Sequence, residues 1–146
     1  VSGGLVGKGN HRHFMLKEIY EQPAVIGETL NTYFNPASRT IQIPEAPFDL
    51  ASVPKVTIIA CGTSFYAAMI AKYWFEQVAG LAVDIDIASE FRYRQAAMPE
   101  GGVAIFISQS GETADTLAAL QEAKRLGATY SLAICKKFSL LIPLKK

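Results

Sequence analysis

Two runs of apolar residues, each ending in a turn rich in glycine and hydroxyl groups and each followed by a helix-periodic stretch, set the limits on what this chain can fold into. The first is Val56-Thr57-Ile58-Ile59-Ala60, followed by Cys61-Gly62-Thr63-Ser64. The second is Val103-Ala104-Ile105-Phe106-Ile107, followed by Ser108-Gln109-Ser110-Gly111-Glu112-Thr113. Strands that are apolar on both faces belong in the middle of a parallel sheet covered by helices on both sides. A helix start carries unpaired N–H groups and a partial positive charge, which suits an anion such as phosphate. Hydroxyls at both starts add neutral donors. Two such starts in one sheet suggest a site for one phosphorylated small molecule.

The rest of the chain follows the same alternation. Residues 64–79 carry Ala67, Ala68, Ile70, Ala71, Trp74 and Val78 at helical spacing, with Gly80 as the expected cap. Residues 82–88 alternate Val83, Ile85 and Ile87 with Asp84 and Asp86, the pattern of a strand near an edge. A short capped helix is predicted at 89–93, a helix at 113–126 ending at Gly127, and a fourth strand at 130–135. This order predicts an α/β fold: three α-β-α layers with a parallel, doubly wound, flavodoxin-like sheet. In such sheets the ligand crevice lies beyond the carboxyl ends of the strands, where both polar turns fall.

Upstream, residues 14–34 read as helix in two parts, with Pro23 in the first turn of the second part. Residues 38–44 alternate like a short extended segment, Pro44 and Pro47 mark a loop, and 48–53 suggest one helical turn. Downstream, 136–146 breaks the alternation, and Pro143 interrupts what could be a strand. A sheet ending on its fourth strand would leave an apolar edge open. The chain also starts at Val1, and we expect it to be a piece of something longer.

With 146 residues, half of them apolar and 18% charged, the chain has the composition of one globular domain. A formal charge of +1 gives no reason to expect nucleic acid, and the positive balance sits in Lys136, Lys137, Lys145 and Lys146. No apolar run approaches a membrane span, since Lys72 interrupts the longest candidate, and Val1 to Asn10 lack the basic-then-apolar layout of a signal peptide. We therefore expect a cytoplasmic protein with no membrane partner. Cys61 and Cys135 read as core thiols at strand ends, and His11 and His13 are too few for a metal site.

The two turns, the second extended by Ala114-Asp115-Thr116, resemble the sugar isomerase (SIS) domain family. Three further stretches narrow the resemblance to the glucosamine-6-phosphate synthase family: His13 through Pro23 (HFMLKEIYEQP), Tyr73-Trp74-Phe75-Glu76, and Ala88 through Arg94 (ASEFRYR). The resemblance covers about Lys8 to Cys135. It implies a pocket for a sugar phosphate, fructose 6-phosphate or glucosamine 6-phosphate, in which Ser64, Ser108, Thr113 and the Gln109 segment hold the phosphate. Thr63 and Ser110 line the same pocket, and Gly62 completes the candidate set. It also implies an enzyme that converts fructose 6-phosphate and glutamine to glucosamine 6-phosphate and glutamate, with no cofactor and with a homodimer as the parent assembly.

The departures bear on what this chain can do. No glutaminase part, second SIS domain or imine-forming lysine of that family is present, so we assign no catalytic residue and expect the chain alone to be inactive. After Cys135 the family's loop, helix and fifth strand are not matched, so the last strand and helix are expected to be missing. The resemblance divides the chain into a linker remnant at 1–12, a helical segment packing on the SIS core at 13–54, an incomplete SIS domain at 55–135 and an unrelated tail at 136–146.

Blander readings stand beside these. Thr63 and Ser64 can be helix caps, as Ser and Thr favour that position. Glu90, Arg92 and Arg94 read either as an anion patch or as a solvated helix at a subunit contact. Trp74 and Phe75 read as core or dimer packing, and Glu112 and Asp115 as acids placed by the helix dipole. The rival functions are a non-catalytic SIS sugar-phosphate module, a nucleotide-binding α/β domain and an inert fragment. The first lacks a helix-turn-helix region here, and the second lacks G-x-G-x-x-G after the first strand.

Overall fold

Nonpolar faces pair with nonpolar faces along this chain, and the strand–helix alternation follows. The computed structural model describes residues 7–41 and 49–135 and the backbone of 139–143. The residues before Gly7 and the loop around Pro44 and Pro47 lie outside them. The chain divides into two units, Val1–Pro44 and Glu45–Lys146.

In the first unit, α1 (Phe14–Tyr33) is one continuous helix with Pro23 inside it, where the sequence predicted two. Proline removes one ladder hydrogen bond, but Glu21 and Gln22 before it are not capping residues, so nothing starts a second helix there. After α1, β1 (Phe34–Asn35) pairs antiparallel with β2 (Thr40–Ile41). The Asn35 carboxamide oxygen accepts from the N–H of Ala37 at 3.0 Å and of Ser38 at 3.3 Å, which closes the hairpin turn.

The second unit opens on a 3-10 turn at Leu50–Ser52, capped by Asp49, whose carboxylate accepts from Ala51 N–H at 3.0 Å. Then come β3 (Lys55–Ala60), α2 (Gly62–Ala79), β4 (Ala82–Ile87), α3 (Ala88–Phe91), β5 (Val103–Ile107), α4 (Ala114–Arg125), β6 (Tyr130–Ile134) and β7 (Ser139–Pro143). The sheet order is β4-β3-β5-β6-β7. The first four strands in that order are parallel. The predicted doubly wound sheet is what forms, with the Asp84/Asp86 strand at its edge.

The chain corrects the expected open edge after β6. β7 runs antiparallel to β6, from Ser139 opposite Ile134 to Pro143 opposite Tyr130. Proline tolerates that place because it ends the strand.

Alternation within β3 and β5 builds two core layers. Val56 and Ile58 join Val103, Ile105 and Ala68 of α2 on one face. Ile59, Ala104 and Phe106 join Phe91 of α3 and Ala119 and Ala123 of α4 on the other. Phe91 is fully buried, and each such large side chain contributes roughly 1.5–3 kcal/mol. The predicted apolar stripe of α2 is right for Ala68 and Ala71 and wrong for its outer members. Ala68, Ala71 and Phe75 face the sheet, whereas Ile70, Trp74 and Val78 are exposed, Trp74 by 66% and Val78 by 85%. Apolar residues occupy more of this helix than one sheet contact can cover, so spacing alone did not select the buried face. Among the described residues no helix is long and apolar enough to cross a membrane.

Candidate functional site

β3 and β5 are neighbours, with Ala60 opposite Ile107, so the turns that follow them open side by side. The chain leaves β3 toward β4 on one side of the sheet and returns to β5 on the other, which makes this pair the switch point of the fold. A cavity of about 270 Å³ sits there. Every sequence-predicted site residue lines it: Gly62, Thr63, Ser64, Ser108, Gln109, Ser110 and Thr113. Cys61, Ile107 and Thr116 complete its wall.

The first turn works through backbone. Gly62 has φ +58°, a left-handed conformation that side chains resist, and it swings the chain from strand to helix in one residue. The helix starts at Gly62 rather than at Ser64 as predicted, so Thr63 and Ser64 stand inside the first turn and are not caps. Cys61 precedes the helix and makes no side-chain capping bond, and no acid occupies the first turn. The leading N–H groups of α2 have no such partner, and their partial positive charge faces the cavity uncompensated.

The second turn works through hydroxyls. Ser108, which is buried, donates its N–H to Ile134 O at 3.0 Å, tying the turn to β6. Its Oγ accepts from Gly111 N–H at 3.2 Å and shares a hydrogen bond with Thr113 Oγ1 at 3.0 Å. Ser110 Oγ accepts from Glu112 N–H at 3.1 Å. Thr113 stands at the capping position of α4, yet its hydroxyl makes no capping bond and turns instead to Ser108. The capping explanation therefore fails at both turns.

Gly111 has φ +72°, and a Cβ there would lie 3.3 Å from Cys135 Sγ. Backbone of the loop thus passes directly against β6's end. Only glycine fits without a shift.

Charge is kept off the cavity wall. Asp115 lies in the first turn of α4, and its carboxylate is held by Arg92 at 2.7 Å. Arg94 is likewise engaged, with its Nε donating to Asp86 at 2.6 Å. Both arginines are ion-pair partners of carboxylates, which speaks against the anion-patch reading. The wall offers hydroxyls, a carboxamide and amide N–H groups, with Cys61 as the one titratable side chain. That set can hold an anionic head group. No base stands beside a nucleophile among these lining residues. Cys61, read as a core thiol, is half-buried and has a second surface in the cavity.

Sequence reasoning missed Thr116. It lies one helical turn beyond Thr113, on the same face of α4, and that i, i+3 relationship was the available signal. Among the described residues no group of three or more His, Cys, Asp or Glu could hold a metal ion.

Comparison with known proteins agrees with this geometry. A family model described as SIS domain matches residues 49–141. The glutamine–fructose-6-phosphate aminotransferase [isomerizing] of Zymomonas mobilis subsp. mobilis is 53% identical over 134 residues, 92% of this chain and 22% of that protein. An identically named protein of Bradyrhizobium diazoefficiens is 57% identical over 128 residues, 87% of this chain and 21% of that protein. Among solved structures, the C-terminal domain of glucosamine-fructose-6-phosphate aminotransferase from Francisella tularensis superimposes with a TM-score of 0.80 at 39% identity, covering 88% of this chain and 36% of that one. The chain spans about a fifth of the length of the curated relatives it matches.

Proposed function

The chain belongs to the sugar isomerase (SIS) domain family, and from that premise we propose that its paired turns grip the phosphate of a hexose phosphate. The substrate class is fructose 6-phosphate and glucosamine 6-phosphate. The observation that carries this reading is the single cavity shared by the uncapped start of α2 and the hydroxyl cluster of Ser108 and Thr113. Gly62, Thr63 and Ser64 supply backbone and hydroxyl donors from one side, and Ser108, Gln109, Ser110 and Thr113 from the other. Backbone N–H groups at a helix start, joined by neutral hydroxyls, suit an anionic phosphate.

In this reading the chain is the first SIS half of the isomerase part of a glucosamine-6-phosphate synthase, acting in the cytoplasm on hexosamine biosynthesis. The parent reaction joins nitrogen from glutamine to fructose 6-phosphate and isomerises the product to glucosamine 6-phosphate. This part anchors the phosphate and so fixes the sugar relative to groups outside the chain, which is a positional contribution. A wall with no acid–base pair supports a role in binding and predicts no synthase activity for the isolated chain. Residues 13–54 form the segment before the SIS core of 55–135, 1–12 the end of a linker, and 136–146 a tail, although the SIS family model itself reaches residue 141. The exposed apolar flank of α2, with Trp74 and Val78, supports a homodimeric parent.

Thermal unfolding with fructose 6-phosphate, glucosamine 6-phosphate, free fructose and NAD tests the proposal. A ligand at about 100 times its Kd stabilises by roughly 2.7 kcal/mol. A shift with the two phosphosugars alone is expected. No shift with either overturns the reading, and a shift with NAD favours a nucleotide site.

A further inference from the structure

Among the described residues, one buried side-chain polar atom has no hydrogen-bond partner: Thr116 Oγ1. Thr116 is 6% exposed and lines the same cavity as the predicted site residues. A threonine in a helix has an easy partner in the carbonyl three or four residues back, and this one does not take it. Leaving a buried hydroxyl unpaired is unfavourable, and native structures rarely do so without a reason.

The surroundings say what the partner is. Thr116 and Ser108 together wall both the main cavity and a smaller one of about 80 Å³ behind it. That smaller cavity is otherwise bounded mainly by apolar side chains, including Phe106, Leu117, Leu120 and Ala133. No carboxylate or carboxamide reaches Thr116 from that side. Toward the front, the Ser108 hydroxyl is already engaged by Gly111 and Thr113. Thr116 itself lines the main cavity, the neighbouring space with polar walls, and a turn of its side chain toward that space would bring the hydroxyl to a strong acceptor.

We propose that Thr116 is a further anion-binding residue of this cavity, its hydroxyl finding its partner in a phosphate oxygen of the bound sugar. The inference rests on the phosphosugar reading above and deepens it. It adds a donor at the floor of the site, beneath the rim formed by the exposed Thr63, Gln109, Ser110 and Thr113.

The test compares wild type with Thr116→Val and Thr116→Ser, measuring thermal unfolding and the affinities for fructose 6-phosphate and inorganic phosphate. Valine matches the shape of threonine but removes the unpaired hydroxyl, so Thr116→Val unfolds no earlier than wild type without ligand. Its affinity for both ligands falls roughly tenfold, equivalent to about 1.4 kcal/mol. Thr116→Ser keeps the hydroxyl and restores most of that affinity. Unchanged affinity in Thr116→Val overturns the inference, as does a Thr116→Val chain that is less stable and is not rescued by serine. A wild type that responds to neither ligand overturns the phosphosugar reading itself, a distinct outcome.

Discussion

Ser108 Oγ and Thr113 Oγ1 stand 3.0 Å apart and share one hydrogen bond across the loop between β5 and α4. The same Ser108 oxygen accepts from Gly111 N–H, so one hydroxyl holds both ends of the turn. Ser108→Ala removes the acceptor of Gly111 N–H and the hydrogen-bond partner of the Thr113 hydroxyl. Expected is a loss of stability of about 1–2 kcal/mol and weaker fructose 6-phosphate binding by tenfold or more. Urea unfolding and titration calorimetry measure the two. Binding at wild-type strength in Ser108→Ala would place the phosphate elsewhere.

Gly111 meets two constraints at once, a φ of +72° and the proximity of Cys135 Sγ. Gly111→Ala therefore combines left-handed strain of roughly 1–2 kcal/mol with crowding against the thiol. Adding Cys135→Ala in the same chain relieves the crowding and leaves the strain. The double variant is expected to recover part of the stability lost in Gly111→Ala, by denaturant midpoint. Full recovery would mean that the conformation itself carries no penalty.

How far the sequence revealed this arrangement depends on what each residue answers to. Val103 through Ile107 read correctly because a strand covered on both faces must be apolar throughout, with no periodicity to misjudge. Asp84 and Asp86 betrayed the edge strand because only an open side tolerates carboxylates; Lys55, from β3, pairs with Asp84 there. That the two turns share one cavity was legible for a similar reason: turns that follow neighbouring central strands open side by side at the carboxyl ends of the sheet. Of the two readings for Trp74, its exposure removes packing in this chain's own core; α2 is apolar around most of its circumference, and the buried stripe was chosen by fit to the sheet. β7 was not foreseen because its pairing with β6 depends on a neighbour distant in sequence, while Pro143 argued locally against a strand. Thr116 stood in the sequence only as the end of the second motif, and its burial and missing partner are properties of the fold.

Glu122 and Arg125 form a fork at the end of α4, with Arg125 Nε donating at 2.8 Å and its terminal nitrogen at 2.6 Å. The hydrogen bond from Arg125, together with its charge, holds the Glu122 carboxyl below the usual carboxylate range. A carboxyl lowered in the folded state adds stability above its unfolded pKa, and that contribution disappears as pH falls through the folded value. Glu122→Gln is therefore expected to lower the unfolding midpoint slightly at pH 7 and to make no difference in strong acid. The pair is exposed and screened, so the effect is small and shrinks with salt. Equal midpoints at pH 7 in low salt would show the fork to be without consequence.

Ser64→Asp separates folding from binding most sharply. Ser64 sits in the first turn of α2, where no acid is present and the leading N–H groups lack a side-chain cap. A carboxylate there satisfies those donors and the helix dipole, worth about 0.3–1 kcal/mol. The same carboxylate occupies the ground that a phosphate would take and repels it. Ser64→Asp is thus expected to unfold at a higher temperature than wild type while losing nearly all stabilisation by fructose 6-phosphate. Ser64→Ala serves as the neutral control, with binding weakened but measurable. A charged variant that binds the phosphosugar as well as serine does would mean that the α2 start does not face the anion, whatever the Ser108 loop holds.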